Sequence, residues 1–232
     1  MMMTCRLALI VVLVLVGACA KTQQARKVVQ TGFLEDYSIL QKGQGKHQAL
    51  LRYINPSADW KYYDKVIVDP VQLWMGKDSR LHNVPREERI RLTTLLYGKL
   101  RNGLLSHYRI VRKPGPRVLR ISVALTEAET SNSVLDTISS ILPTGHVISG
   151  TKSLATGTGT YVGTSSIEAK ITDSANDTLL AAAVDRRGGA KTLSGVMSEW
   201  DDVEQSFQYW ASLLKYRLCT LRGERTCEKP EA

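Results

Sequence analysis

Val203, Phe207, Trp210, Leu214, Leu218 and Leu221 recur at intervals of four, three, four, four and three, the spacing of one face of an α-helix. A helix so long and so one-sided is not stable alone in water; it needs an apolar surface of matching length to cover its stripe. The period predicts a helix from about Glu199 to Leu221, with Ser198 and Asp201 placed as a cap. The rest of the chain therefore has to build a partner for this helix.

The partner is legible upstream. Lys65 to Trp74 reads as a strand, apolar on both faces at Val66-Ile67-Val68, with an edge or bulge expected at Asp69-Pro70. Asn83 and Pro85 announce a helix whose stripe is Leu92, Leu95, Leu96, Leu100 and Leu104. Tyr108 to Arg112 and Arg117 to Thr126 follow as strands; the second places Leu119, Ile121, Val123 and Leu125 inward and Arg120, Ser122 and Thr126 outward. A hairpin, Thr160 to Thr172 and Thr178 to Arg186, turns at Asp173–Asp177 with Glu168 and Lys170 outward. The order predicts an α/β (α+β) sandwich, a mixed sheet of about five strands with two long helices on one face.

The amino-terminal end says where this domain folds. Arg6 precedes the uncharged run Leu7 to Val16, too short to span a bilayer and ending in small residues, as an export signal does. Val16-Gly17-Ala18-Cys19 resembles the lipobox of bacterial lipoproteins, which implies cleavage after residue 18 and acylation of Cys19. Several acyl chains, at about 0.8 kcal/mol per buried methylene, anchor durably. Ala20 follows, where an inner-membrane retention signal has Asp; the resemblance implies an outer-membrane anchor with the domain facing the periplasm. Cys5 leaves with the signal, so Cys219 and Cys227 remain, and in an oxidising envelope they are expected to pair.

Ala20 to Thr31 is polar and without periodicity, and reads as a tether able to extend about 40 Å. Next comes Gly32-Phe33-Leu34-Glu35-Asp36-Tyr37-Ser38-Ile39-Leu40. This block, with Tyr161-Val162-Gly163-Thr164-Ser165-Ser166-Ile167-Glu168-Ala169 and Ala183-Val184-Asp185-Arg186-Arg187-Gly188-Gly189, resembles a family of Gram-negative lipoproteins of unknown function that carry a G-F-L-x-D-Y-S-x-L block. The resemblance brings no activity. In element order alone the chain is also similar to the periplasmic domain of the curli secretion channel family and to the N-terminal domain of the Tol-system translocation protein. The expected bounds are 1–18 signal, 19–31 lipidated Cys and tether, 32–63 extended segment, 64–222 α/β domain with an insertion at 130–160, and 223–232 a disulfide-tied tail. Within the extended segment, Trp60, Tyr62 and Tyr63 suit either a sugar face or the edge of the core.

Charge is distributed unevenly. The chain carries 31 basic and 22 acidic residues. Between Glu88 and Glu127 there is no acid, while Arg89, Arg91, Lys99, Arg101, Arg109, Arg112, Lys113, Arg117 and Arg120 supply nine bases. Gathered on one face, they would hold the domain against anionic headgroups or an anionic envelope polymer; spread out, they are solvated residues. Export argues against nucleic acid. From Thr130 to Ile167 only Asp136 and Lys152 are charged. The Thr156 to Thr164 alternation there suits either a loop leading into a sheet strand or one crossing strand of an oligomeric pore.

Catalytic and metal signatures are weak. His47, His82, His107 and His146 lie far apart without a ligand-spaced partner, and no G-x-S-x-G occurs. Gly145 to Lys152 transposes the last pair of a phosphate-binding loop. The expectation is a non-enzymatic outer-membrane lipoprotein without metal or cofactor, acting by binding or assembly at the envelope. The alternatives are a subunit of a homo-oligomeric secretion or pore complex and, less favoured, an envelope hydrolase.

Overall fold

The computed structural model describes residues 22–25, 27–130, 162–189 and 200–231. Among them the strands are β1 (Thr22–Gln24), β2 (Gln41–Lys42), β3 (Leu51–Ile54), β4 (Lys65–Val68), β5 (Gln72–Leu73), β6 (Arg109–Ile110), β7 (Val118–Glu129), β8 (Val162–Asp173) and β9 (Leu179–Gly189). The helices are α1 (Arg86–Leu104) and α2 (Asp201–Leu221), with short 3-10 turns at Trp60–Tyr62 and Arg80–Asn83. One mixed sheet runs β2-β3-β9-β8-β7-β4-β6, with β1 added to β9 and β5 to β7. β4, β5 and β6 pair in parallel; the other ladders are antiparallel.

Alternation along the long strands divides the sheet into two faces. Leu119, Ile121, Val123 and Leu125 of β7, Ile167 and Ile171 of β8, and Ala181 of β9 lie in the core with Leu92, Leu96, Leu100 and Leu104 of α1 and Val203, Phe207, Trp210 and Leu218 of α2. Burying a leucine-sized side chain contributes about 2 kcal/mol before entropy, so this interface is the main source of stability. The register of β7 on β8 shifts between Leu125 and Glu127, which brings Ala128 back to the helix side. As the sequence predicts, the architecture is α+β with two helices on a mixed sheet.

Several expectations change. Among the described residues the sheet has nine strands rather than about five, because two- to four-residue ladders extend both edges and give no periodic signal. The polar tether is not free throughout: Thr22, Gln23 and Gln24 pair with Gly189, Gly188 and Arg187, and Thr22 is buried. The 32–63 segment joins the domain, with β3 on the edge of β9 and Phe33 and Leu34 packed over Ala124, Ala182 and Val184 on the sheet's second face. Glu168, expected outward, is fully buried there because that segment covers it. Trp60 and Tyr63 belong to the main core, while Tyr62 remains exposed. The signal, Cys19, Ser198, His146 and nearly all of the 130–160 insertion lie outside the described residues.

Candidate functional site

The nine basic residues do not share one face. Arg91 bridges Glu88 at 2.8 Å and Glu204 at 2.9 Å between the helices. Lys99 donates to Gln208 at 3.3 Å and Arg89 to the Met75 sulfur at 3.4 Å, and Arg101 lies further along α1. Arg120 is on the opposite side of the sheet, 3.4 Å from Asp69. Arg117 forms a two-pronged contact with Asp64, at 3.1 and 3.0 Å. Arg109, Arg112 and Lys113 sit together, exposed on β6 and the turn after it, with no acidic partner among the described residues. Ser174 ties this turn to the β8–β9 turn: its N–H donates to Val118, and its hydroxyl accepts from Gly115.

The three blocks behind the family resemblance meet as two buried polar clusters. On the second face, Glu168 Oε1 accepts from the Thr31 N–H (2.7 Å) and hydroxyl (2.9 Å). Its Oε2 accepts from the Leu34 N–H at 3.3 Å and, in a short bond, from the Tyr37 hydroxyl. Burial, then the bond to Glu168, raises the Tyr37 pKa. Gly32, at φ +95°, donates back to the Tyr37 oxygen at 2.8 Å; glycine adopts that conformation without strain. The G-F-L-x-D-Y-S-x-L block is thus a loop folded around a carboxylate 131 residues away from its tyrosine.

On the helix side, Asp185 accepts from Trp210 Nε1 (2.7 Å), Gln24 Nε2 (2.7 Å) and Leu50 N (3.1 Å). Burial raises its pKa, opposed by these bonds and by the Arg187 charge. Arg187 donates to Thr22 Oγ1 at 2.8 Å and Thr22 O at 2.9 Å, with its guanidinium 3.4 Å from the Tyr209 ring centre. Both clusters draw their hydrogen-bond partners from their own chain, which marks them as locks on the amino-terminal segment. They hold β1 and the 31–37 loop to the sheet.

The two ends of the sheet differ. At one, β1 begins, β7 ends at Glu129, β8 begins at Val162, β9 ends at Gly189, and α2 starts. Asp202 packs so closely here that a Cβ on Gly189 would lie 2.0 Å from its Oδ1. Burial, aided by the Asp201 charge, pushes Asp202 up to about 6. Burial likewise raises Glu129, opposed by Arg80. The other end carries the β8–β9 turn and the three unpaired bases, one strand length away, about 40 Å for the twelve residues of β8. The structure joins Cys219 and Cys227 by a disulfide with Cα atoms 5.7 Å apart. Among the described residues, no group of three or more His, Cys, Asp or Glu could hold a metal ion.

Sequence reasoning missed Glu168, Asp185 and Arg187 as partners of the amino-terminal segment. The available signal was that charged residues stood inside strands otherwise made of small and apolar ones.

A family model described as "Protein of unknown function (DUF3313)" matches residues 29–214. The chain is 27% identical over 189 residues to the uncharacterized lipoprotein YdcL of Escherichia coli strain K12, spanning 81% of this chain and 82% of that one; the O157:H7 counterpart matches equally. Solved structures of Paraburkholderia phytofirmans PelC, described as a dodecamer, align over 75% of this chain and 96% of theirs. They do so at 14% and 13% identity with TM-scores of 0.34 and 0.35. Those scores support no deduction about this chain.

Proposed function

The chain belongs to the DUF3313 family, and from that premise we propose that it is a lipid-anchored protein of the outer membrane, acting in the periplasm by binding and without catalysis. Its relative's description as a lipoprotein supports the reading of Cys19 as the acylated residue. One observation carries the rest: β1 is hydrogen-bonded into β9 from Thr22 onward, with Thr22 buried. Only two residues, Ala20 and Lys21, then separate the anchor from the folded domain, a reach from Cys19 to Thr22 of about 10 Å instead of 40 Å.

The sheet end at which β1 begins consequently faces the bilayer. The turn bearing Arg109, Arg112 and Lys113 points away from it by about 40 Å, several times the roughly 8 Å screening length in physiological salt. Those bases cannot serve the headgroups under the anchor. They are offered to an anionic partner in the space beyond, of which wall carboxylates are one source.

Nitroxide labels at Lys77→Cys, by the β5 end, and Ala175→Cys, in the far turn, test the orientation in liposomes holding the lipidated protein. The label at 77 should lie near the headgroups and that at 175 far outside them. Equal depths, or the reverse order, would overturn the proposal.

A further inference from the structure

We propose that the space between α2 and the β3–β9 edge of the sheet is a binding site for an acidic amphiphile with one alkyl chain, the chain under α2 and the acid group between Arg52 and Arg217. This goes beyond the binding role proposed above, being a second site with its own ligand class. It does not depend on which end of the domain faces the membrane.

The apolar part follows from side-chain size. Where the helix-side positions of β7 carry leucine, isoleucine and valine, those of β8 and β9 under the second half of α2 include Ala169, Ala181 and Ala183. Against the large residues of α2 they leave an apolar cavity of about 130 Å³, bordered by Trp210 and Leu214. An apolar cavity near 150 Å³ stays dry and admits a small hydrocarbon. The volume is well below the several hundred Å³ of a drug-sized site, so it suits the end of one alkyl chain and excludes a two-chain lipid.

The polar part comes from two cations at its edge. Arg52 pairs across β3–β9 with Ala183 and so points to the helix side, as Arg217 does from α2. Neither has an acidic partner among the described residues, and Arg52 Nε is buried with no hydrogen-bond acceptor. Burial and the neighbouring Arg52 charge lower the Arg217 pKa. Two half-buried guanidiniums facing each other without a counter-ion are each destabilised by the other. One carboxylate or phosphate between them would remove the repulsion and accept the orphaned N–H.

The mature chain, residues 19–232 with Cys19→Ser, should be titrated with octanoate, octyl phosphate, octanol and acetate while following the Trp210 indole N–H by NMR. The expected result is saturable 1:1 binding of at least one acidic octyl compound, with octanol and acetate weaker by about tenfold or more. Preference for octanoate would indicate a fatty acid, and preference for octyl phosphate a lysolipid-type head. Arg52→Gln and Arg217→Gln should each weaken the acidic ligand about tenfold and leave octanol unchanged. Ala183→Leu, with an unaltered helical spectrum, should abolish binding of all of them. No saturable binding, or binding unchanged in both arginine variants, would overturn the inference. Because no membrane is present, that failure would leave the proposed orientation standing.

Discussion

Replacing Glu168 with Gln tests how the amino-terminal loop is held. The carboxylate is fully buried and accepts four hydrogen bonds, two at each oxygen. An amide of the same shape turns one acceptor into a donor, so one oxygen's pair of donors is opposed by N–H groups. A hydrogen bond to a charged acceptor is worth about 1.5–3 kcal/mol, and a buried unsatisfied donor costs about 1–3 kcal/mol. The Thr31 and Tyr37 hydroxyls can rotate, but the Thr31 and Leu34 N–H groups cannot, so the net loss should be about 3 kcal/mol. That is a large share of the 5–15 kcal/mol typical of a domain. Tyr37→Phe should cost about 2 kcal/mol, and the double variant should be less destabilised than the sum by about 1 kcal/mol or more, since both act on one bond. Urea denaturation followed by tryptophan fluorescence measures all three; Trp74 reports locally, because its indole donates to Thr31 O at 3.0 Å and its ring meets Phe33 edge-on. Losses below 0.5 kcal/mol, or additive ones, would refute the loop-around-carboxylate account.

The pH dependence has a sign set by Asp202. Its folded pKa of about 6 exceeds the ordinary aspartate value of 3.8, so the fold prefers the protonated acid; its contribution is full below about pH 4 and is lost as pH rises through 6. Asp202→Asn should therefore match the parent near pH 4 and exceed it by roughly 1–3 kcal/mol at pH 7 in denaturant titrations. Thr22→Val exchanges only a hydroxyl for a methyl and so removes the acceptor of the buried Arg187 Nε–H; it should cost about 2 kcal/mol and speed hydrogen exchange at Ala25, whose N–H bonds Arg186 O at 2.9 Å. Changing Cys219 and Cys227 together to Ala opens a link of sequence separation 8 and should lower unfolding free energy by about 2.5 kcal/mol.

Local periodicity made the helices and long strands legible. The stripes of α1 and α2 and the alternation of Leu119 to Leu125 each need only neighbours within one element, and they alone indicate two helices on a sheet. What was hidden depends on distant partners. Glu168 alternates as an outward residue and does lie on the face away from the helices, yet residues 31–37 cover that face. Small or hydroxylated Ser122, Ala124 and Ala182 beside it were the available sign of a second packed layer. Three polar residues at Thr22–Gln24 cannot display a period, so their strand is set by the free edge of β9 above β3. The basic block was legible as charge but not as a surface, because sequence distance does not show that Asp64, Asp69, Glu88 and Glu204 neutralise part of it.

Neutron reflectometry of the lipidated protein on a supported bilayer tests the central claim, that β1 holds the domain close to its anchor, most directly. The account predicts protein density beginning within about 10 Å of the headgroups in a layer as deep as the long strands, about 40 Å or more. A water-filled gap of several tens of ångström beneath the protein layer would mean that residues 20–31 act as a free tether, and would contradict it.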